Sequence, residues 1–266
     1  MSNGCTSNET RPGHEKLAPR PVQTFDIRKQ PNLNIAKYPK WIGRKFEPDG
    51  TVIGFAGNTV LSRIRPASSL HAVLSDIHHK LLQSEFASLF AVLPPSSYHV
   101  TLMEGICNSN RSTASWPRDL SIQASLAECN ELFRKKLNLA SHVTRATCAT
   151  SFQMIIEGWR PLENGISLRV VPATPTDASR LRLFREYLSD SLQLRHPKHE
   201  SYDFHISLTY SLQYFSQDEE KRILALLQKL GENLPRFIEL GLPELCTFDD
   251  MFAFHHLCFV EAPISV

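Results

Sequence analysis

The chain has 266 residues, of which 42% are apolar and 21% charged, and a formal net charge of +2. This suits a soluble globular protein of one large or two small domains, with enough core to need no disulfide staples. The near-neutral balance excludes the strongly basic surface of an extended nucleic-acid binder but leaves small phosphorylated substrates open.

Residues 1 to about 45 hold Pro12, Pro19, Pro21, Pro31 and Pro39 with little hydrophobic periodicity. They read as a Pro-rich N-terminal extension, with Trp41 and Phe46 anchoring its end to a domain spanning 46–266. From Thr51 the pattern changes. Thr51–Ile64 is rich in β-branched residues and predicts one or two strands with a turn at Gly57-Asn58. Leu70, Val73, Leu74, Ile77 and Leu81 have helical spacing, with Ser68 or Ser69 as N-cap. A strand from Tyr98 to about Glu104 follows Pro94-Pro95. Ile122, Leu126, Cys129 and Phe133 predict a helix over 119–137.

Phe152–Trp159 and Ile166–Pro172 read as strands joined through a turn at Asn164-Gly165. A helix is predicted over 177–192 and a strand over Tyr202–Tyr210. Ser216-Gln217-Asp218-Glu219 has capping-box spacing and opens a helix ending near Leu230-Gly231. Met251–Val260 supplies further strand. The order strand, helix, His-bearing strand, helix, strand covers about 59–159 and recurs over about 166–260. It predicts an α+β fold of two related lobes, roughly 51–160 and 161–266, each a small sheet with helices on one face.

Two segments in this repeat match each other. Tyr98-His99-Val100-Thr101-Leu102 and Phe204-His205-Ile206-Ser207-Leu208 both read aromatic, His, β-branched, hydroxyl, Leu. Residues i and i+2 of a strand share a face, so His99 projects with Thr101 and His205 with Ser207. If the strands adjoin, two imidazoles and two hydroxyls meet in one pocket, an arrangement suited to a tetrahedral phosphoryl group. One neutral His takes a proton from water and the other, protonated, gives one to the leaving oxygen. His titrates near ~6.5, so both forms are accessible near neutrality. The same His-x-Ser/Thr spacing at His142 and at His199 lacks the five-residue pattern and a matching slot in the repeat.

These paired motifs resemble the 2H phosphoesterase superfamily, which is named for two such segments on paired strands and includes RNA 2′,3′-cyclic phosphodiesterases described also as RNA ligases. Gly57–Ile64 and Leu93–Ile106 further resemble an uncharacterised branch of it. The resemblance spans about 45–260. It implies a bilobal fold whose two antiparallel sheets line a central cleft, with helices outside. It implies catalytic roles for His99 and His205, phosphate-binding roles for Thr101 and Ser207, and no metal or other cofactor.

The expected function is a metal-independent phosphodiesterase that opens a cyclic phosphate on a nucleotide or RNA end. Two alternatives are the same fold turned to acid–base chemistry on a substrate without phosphate, and a non-catalytic nucleotide-binding protein. The intact His/hydroxyl pairs weigh against the last, which has no need of two proton-transfer groups. Expected partners are a small-molecule or RNA-end phosphodiester, with no membrane and no extended nucleic-acid footprint, and the expected state is a monomer.

Of the remaining residues, Asn58 is a polar ligand at a cleft rim or part of a turn. Arg63 is a positive charge near a phosphate or faces solvent. Tyr98, Tyr202 and Tyr210 flank the motifs and either stack on a base or pack in the core; by alternation Tyr98 and Tyr210 face away from the histidines, which favours packing. His78-His79 lies on the polar side of its helix. His256 and Cys258 share a strand face, but no further ligands stand nearby to hold a metal. The six cysteines form no C-x-x-C pair and read as reduced thiols. With no apolar run of membrane-spanning length and no signal-like N-terminus, a cytoplasmic location is expected.

Overall fold

The structure, a computed structural model, describes residues 38–143 and 151–261. The proposed extension therefore lies outside the described residues up to 37. Residues 39–46 form tight turns, with Ile42 N donating to Pro39 O and Lys45 N to Trp41 O, and bury Ile42, Lys45 and Phe46.

Two four-stranded sheets carry the fold, and every strand pair in them is antiparallel. The first contains β1 (Gly57–Arg63), β3 (His99–Cys107), β9 (Glu244–Phe248) and β10 (His255–Phe259), in the order β10-β9-β1-β3. The second contains β4 (Gln153–Trp159), β5 (Ser167–Pro172), β6 (His205–Ser207) and β8 (Phe237–Glu239), in the order β6-β5-β4-β8. A short pair, β2 (Phe90–Val92) with β7 (Thr209–Ser211), completes the strands. The helices are α1 (Ser69–Gln83), α2 (Leu126–Val143), α3 (Pro175–Leu192) and α4 (Gln217–Leu230). The architecture is α+β.

The sheets do not divide the chain near residue 160, as the repeat of elements suggested. β4 pairs with β5, its neighbour across the Asn164-Gly165 turn, and so belongs with later strands. β9 and β10 return to β1. A short antiparallel hairpin forms locally, and that local pairing overrides the division read from element order.

The helix starts are set by caps. Ser68 accepts from His71 N at the start of α1, which buries Leu70, Leu74, Ile77 and Leu81 along one face. Thr174 accepts from Asp177 N ahead of Pro175. Ser216 and Glu219 make the reciprocal capping box. The helix expected from residue 119 starts instead at Leu126. Arg111 donates to the carbonyls of Ile122 (2.8 Å) and Ala124 (2.7 Å), and Trp116 to that of Ser121 (2.9 Å), so these carbonyls are engaged elsewhere. A second capping box, Ser125 with Glu128, then opens the helix.

Gly57-Asn58 is strand, not turn. Gly57 pairs with Cys107 and Phe248, and a Cβ there would strike the Ile106 carbonyl, so close approach of backbone explains this glycine. Asn58 is buried. Its amide donates to Asn130 Oδ1 (2.7 Å) and its oxygen accepts from Ile106 N (3.0 Å), which ties β1 to α2 and β3. The strand expected over 202–210 is two, β6 and β7, in different sheets. Ile166 O accepts from both Leu208 N and Thr209 N, and the chain turns from one sheet to the other there.

Candidate active site

β3 and β6 are edge strands of their sheets, and they touch each other. Each begins with one of the paired histidines. Along β3, Val100 and Leu102 are fully buried, whereas His99 and Thr101 are half-buried; along β6, Ile206 is fully buried between half-buried His205 and Ser207. The apolar partners pack inward, and the polar ones share the opposite face.

That face opens on a cleft of about 440 Å³, lined by His99, Thr101, His205 and Ser207 together. Ser167, opposite Ser207 in the β5–β6 register, adds a further hydroxyl to the lining. The volume lies in the range of small-ligand sites.

Both imidazoles are held in the same way. His99 Nδ1 lies 2.7 Å from the Ser97 carbonyl oxygen, and His205 Nδ1 lies 2.8 Å from the Asp203 carbonyl oxygen. A carbonyl only accepts, so each Nδ1 carries the proton and each neutral ring keeps a lone pair on Nε2. The His99 ring also packs on Phe254, with centroids 4.3 Å apart. From behind, Arg185 of α3 donates to the Leu102 carbonyl of β3 and to the His199 carbonyl (2.7 Å), fixing the strand that presents His99 and Thr101.

The two rings sit in different fields. Burial pushes His99 down to about 4, and the positive charges of His205, Arg63 and Lys45 add to the effect, against the opposing Ser97 carbonyl. Burial also lowers His205. There the Asp203 carbonyl opposes, Arg160 lowers further, and the carboxylates of Asp203 and Glu104 act upward. Asp203 in turn is paired with Arg160 (2.9 Å) and Arg169 (3.1 Å). His99 is thus surrounded by cations, and His205 by charges of both signs.

Other predicted residues fall in varied places. Arg63 stands opposite His99 in the β1–β3 register. Its Nε is 2.6 Å from Glu244 Oε1, and it donates to the Phe254 carbonyl (2.6 Å). Tyr98 is buried and donates to the Leu93 carbonyl. Tyr210, expected to face away from the histidines, lines the cleft, because alternation does not carry through the break at Leu208. Tyr202 also lines it, its hydroxyl within hydrogen-bond reach of Thr101 and its pKa raised by burial.

His78 is not merely solvated. Its Nδ1 bonds the Leu93 carbonyl at 3.0 Å, and burial lowers its pKa. A register shift separates His256 from Cys258 along β10, and His256 Nδ1 is 2.6 Å from Glu244 Oε2. Of the two other His-x-Ser/Thr segments, Thr144 lies outside the described residues. His199 is buried beside Glu186 and Glu200, and its ligand atom and theirs lie within 4.8 Å of one another. Arg195 is already paired with both of those carboxylates.

Sequence reasoning missed Ser167, Arg160 and Lys45 as cleft residues. Only the non-local β5–β6 register puts Ser167 opposite Ser207, and only the docking of residues 39–46 brings in Lys45, so no local signal could have found them.

Residues 45–164 match a family model described as 2H-phosphodiest, domain of unknown function DUF1868. This region belongs to the 2H phosphoesterase superfamily. The region carries the first of the two histidine motifs and ends at the hairpin before β5. The fold is similar to that of a solved structure, the conserved protein of unknown function ATU0111 from Agrobacterium tumefaciens strain C58. The two are 27% identical, with a TM-score of 0.74, over 84% of this chain and 93% of that one. Usb1 of Kluyveromyces marxianus also matches, over 77% of this chain and 98% of its own. At 14% identity and a TM-score of 0.35, the likeness is weak. No curated protein matches the chain.

Proposed function

We propose that the protein is a 2H phosphodiesterase that hydrolyses a cyclic phosphate on a nucleotide or RNA end without a metal. The observation that carries this is the convergence of His99 with Thr101 and of His205 with Ser207, from two edge strands, on one cleft. The two four-stranded sheets are then the duplicated lobes of the family, with the cleft between their His-bearing edges. The protein is taken to act as a cytoplasmic monomer.

The roles of the histidines follow from their fields. His99, kept neutral at neutral pH chiefly by burial with nearby positive charges adding to it, is the base. Its Nε2 takes a proton from water as the water oxygen forms a bond to phosphorus. His205 is also lowered by burial, but the Asp203 carbonyl and the carboxylates of Asp203 and Glu104 act upward on it, so of the two rings it is assigned as the acid. Its Nε2–H gives a proton to the ribose oxygen as the bond from phosphorus to that oxygen breaks. The product is a phosphate monoester, and solvent exchange returns both rings to their starting forms. Thr101 and Ser207 donate hydrogen bonds to the non-bridging oxygens, where negative charge grows in the transition state.

The test is turnover of 2′,3′-cyclic nucleotides by the purified chain with EDTA present. Hydrolysis to a single monoester that is lost in His99→Ala and His205→Ala supports the proposal. Wild-type turnover in both variants would overturn it.

A further inference from the structure

Among the described residues, Lys45 is a buried cation of the cleft. It is only 8% exposed, it lines the cleft, and it comes from outside both histidine motifs. Its Nζ lies 4.1 Å from the centre of the Trp41 ring, 4.7 Å from that of Phe55 and 4.9 Å from that of Tyr210. It donates to the Tyr210 hydroxyl at 3.0 Å, and Tyr210 donates onward to Met251 Sδ at 3.5 Å. Among the described residues, no carboxylate lies within ion-pair distance of it.

A buried ammonium without a counter-ion is costly, and the aromatic faces offset only part of that cost. An ammonium also has three donors, and the Tyr210 hydroxyl takes one. The backbone fixes the position: Lys45 O accepts from Ile53 N at 2.8 Å, and the next residue, Phe46, is fully buried and bridged to Val52. Its charge reaches the site, since it is among those that disfavour a protonated His99. Trp41 is crowded by cations, with Lys40 Nζ 4.6 Å from the same ring centre, so this end of the cleft offers positive charge more than a free stacking face.

We propose that Lys45 is a phosphate-binding residue of the cleft, held by Trp41, Phe55 and Tyr210 so that its free donors meet an anionic phosphate oxygen on the His99 side. The inference rests on the cleft being a phosphate site, as proposed above. It adds a cation that the two motifs lack and gives residues 39–46 a task at the site. A bound phosphate supplies the missing counter-charge, and the aromatic cage keeps the lysine extended when no anion is there.

The experiment titrates the full-length protein with inorganic phosphate at constant ionic strength, followed by calorimetry. Lys45→Met should weaken phosphate binding by about tenfold or more, the scale of one lost charge-assisted hydrogen bond, and Lys45→Arg should recover much of it. In the wild-type protein, phosphate should protect Lys45 from an amine-acylating reagent, read by mass spectrometry of the Lys45 peptide. That arm decides the matter if Lys45→Met fails to fold. Unchanged phosphate affinity in a folded Lys45→Met protein, or acylation of Lys45 that ignores phosphate, overturns the inference. If phosphate affinity depends on Lys45 but turnover does not depend on the histidines, the proposed hydrolysis fails and the lysine site stands. If turnover depends on the histidines and phosphate ignores Lys45, the reverse holds.

Discussion

His99 and His205 share a hydrogen-bonding device, and their fields differ. Each Nδ1 is tied to the carbonyl two residues earlier, which fixes the tautomer and aims Nε2 away from its own strand. Replacing either by Ala should remove most of kcat, since general acid–base work is worth roughly 10²–10⁴-fold per group. The double variant should lose little more, because the two act in one transition state. Thr101→Ala or Ser207→Ala should cost less, on the order of ~1–3 kcal/mol of transition-state binding, read from kcat/KM.

The pH profile follows from the same fields. Both rings titrate below the ordinary value, His99 at about 4, so the bell of kcat/KM should peak on the acid side of 6.5. Its limbs belong to the coupled pair. Stability should respond with a definite sign. His99 binds its proton less readily in the folded chain than in the unfolded one, so stability is unaffected by it above about 6.5 and falls as pH drops from there through about 4. Urea midpoints across that window should decline, and His99→Gln should flatten the decline.

At the level of elements, what sequence shows well is what local chemistry decides. The helix at Ser69–Gln83, the capping box at Ser216 and the turn at Asn164-Gly165 all rest on neighbours within a few residues, whereas the pairing of the two strands beside that turn was not legible. Gly165 takes φ of +118°, and a Cβ there would strike the Thr209 carbonyl, so Gly165→Ala should destabilise the chain and loosen the turn into β5. The start of α2 was missed because Arg111 and Trp116 claim the preceding carbonyls from a distance, although Ser125 and Glu128 have the spacing of a cap. Ser125→Ala should lower stability by ~0.5–2 kcal/mol, measured by denaturant unfolding. The split of β6 from β7 at Leu208 was likewise illegible, since it depends on two sheets competing for one extended stretch.

Across the whole molecule, the site exists because two sheet edges meet. The matched His-x-hydroxyl segments were legible in sequence, because period-2 alternation shows which residues share a face. That β3 and β6 would be edges in contact was not, nor was the arrival of Lys45 and Arg160, since these depend on non-local pairing. Arg185 ties α3 to β3 across the two halves of the chain, so Arg185→Met should leave a buried strand carbonyl unpaired and depress both stability and turnover. The two-histidine mechanism is tested most directly by hydrolysis of 2′,3′-cyclic nucleotides by the wild-type, His99→Ala, His205→Ala and double-variant proteins in EDTA. It predicts chelator-resistant turnover by the wild type and near-equal, severe losses in all three variants. Turnover that survives in both single variants, or that EDTA abolishes and a divalent ion restores, would contradict it.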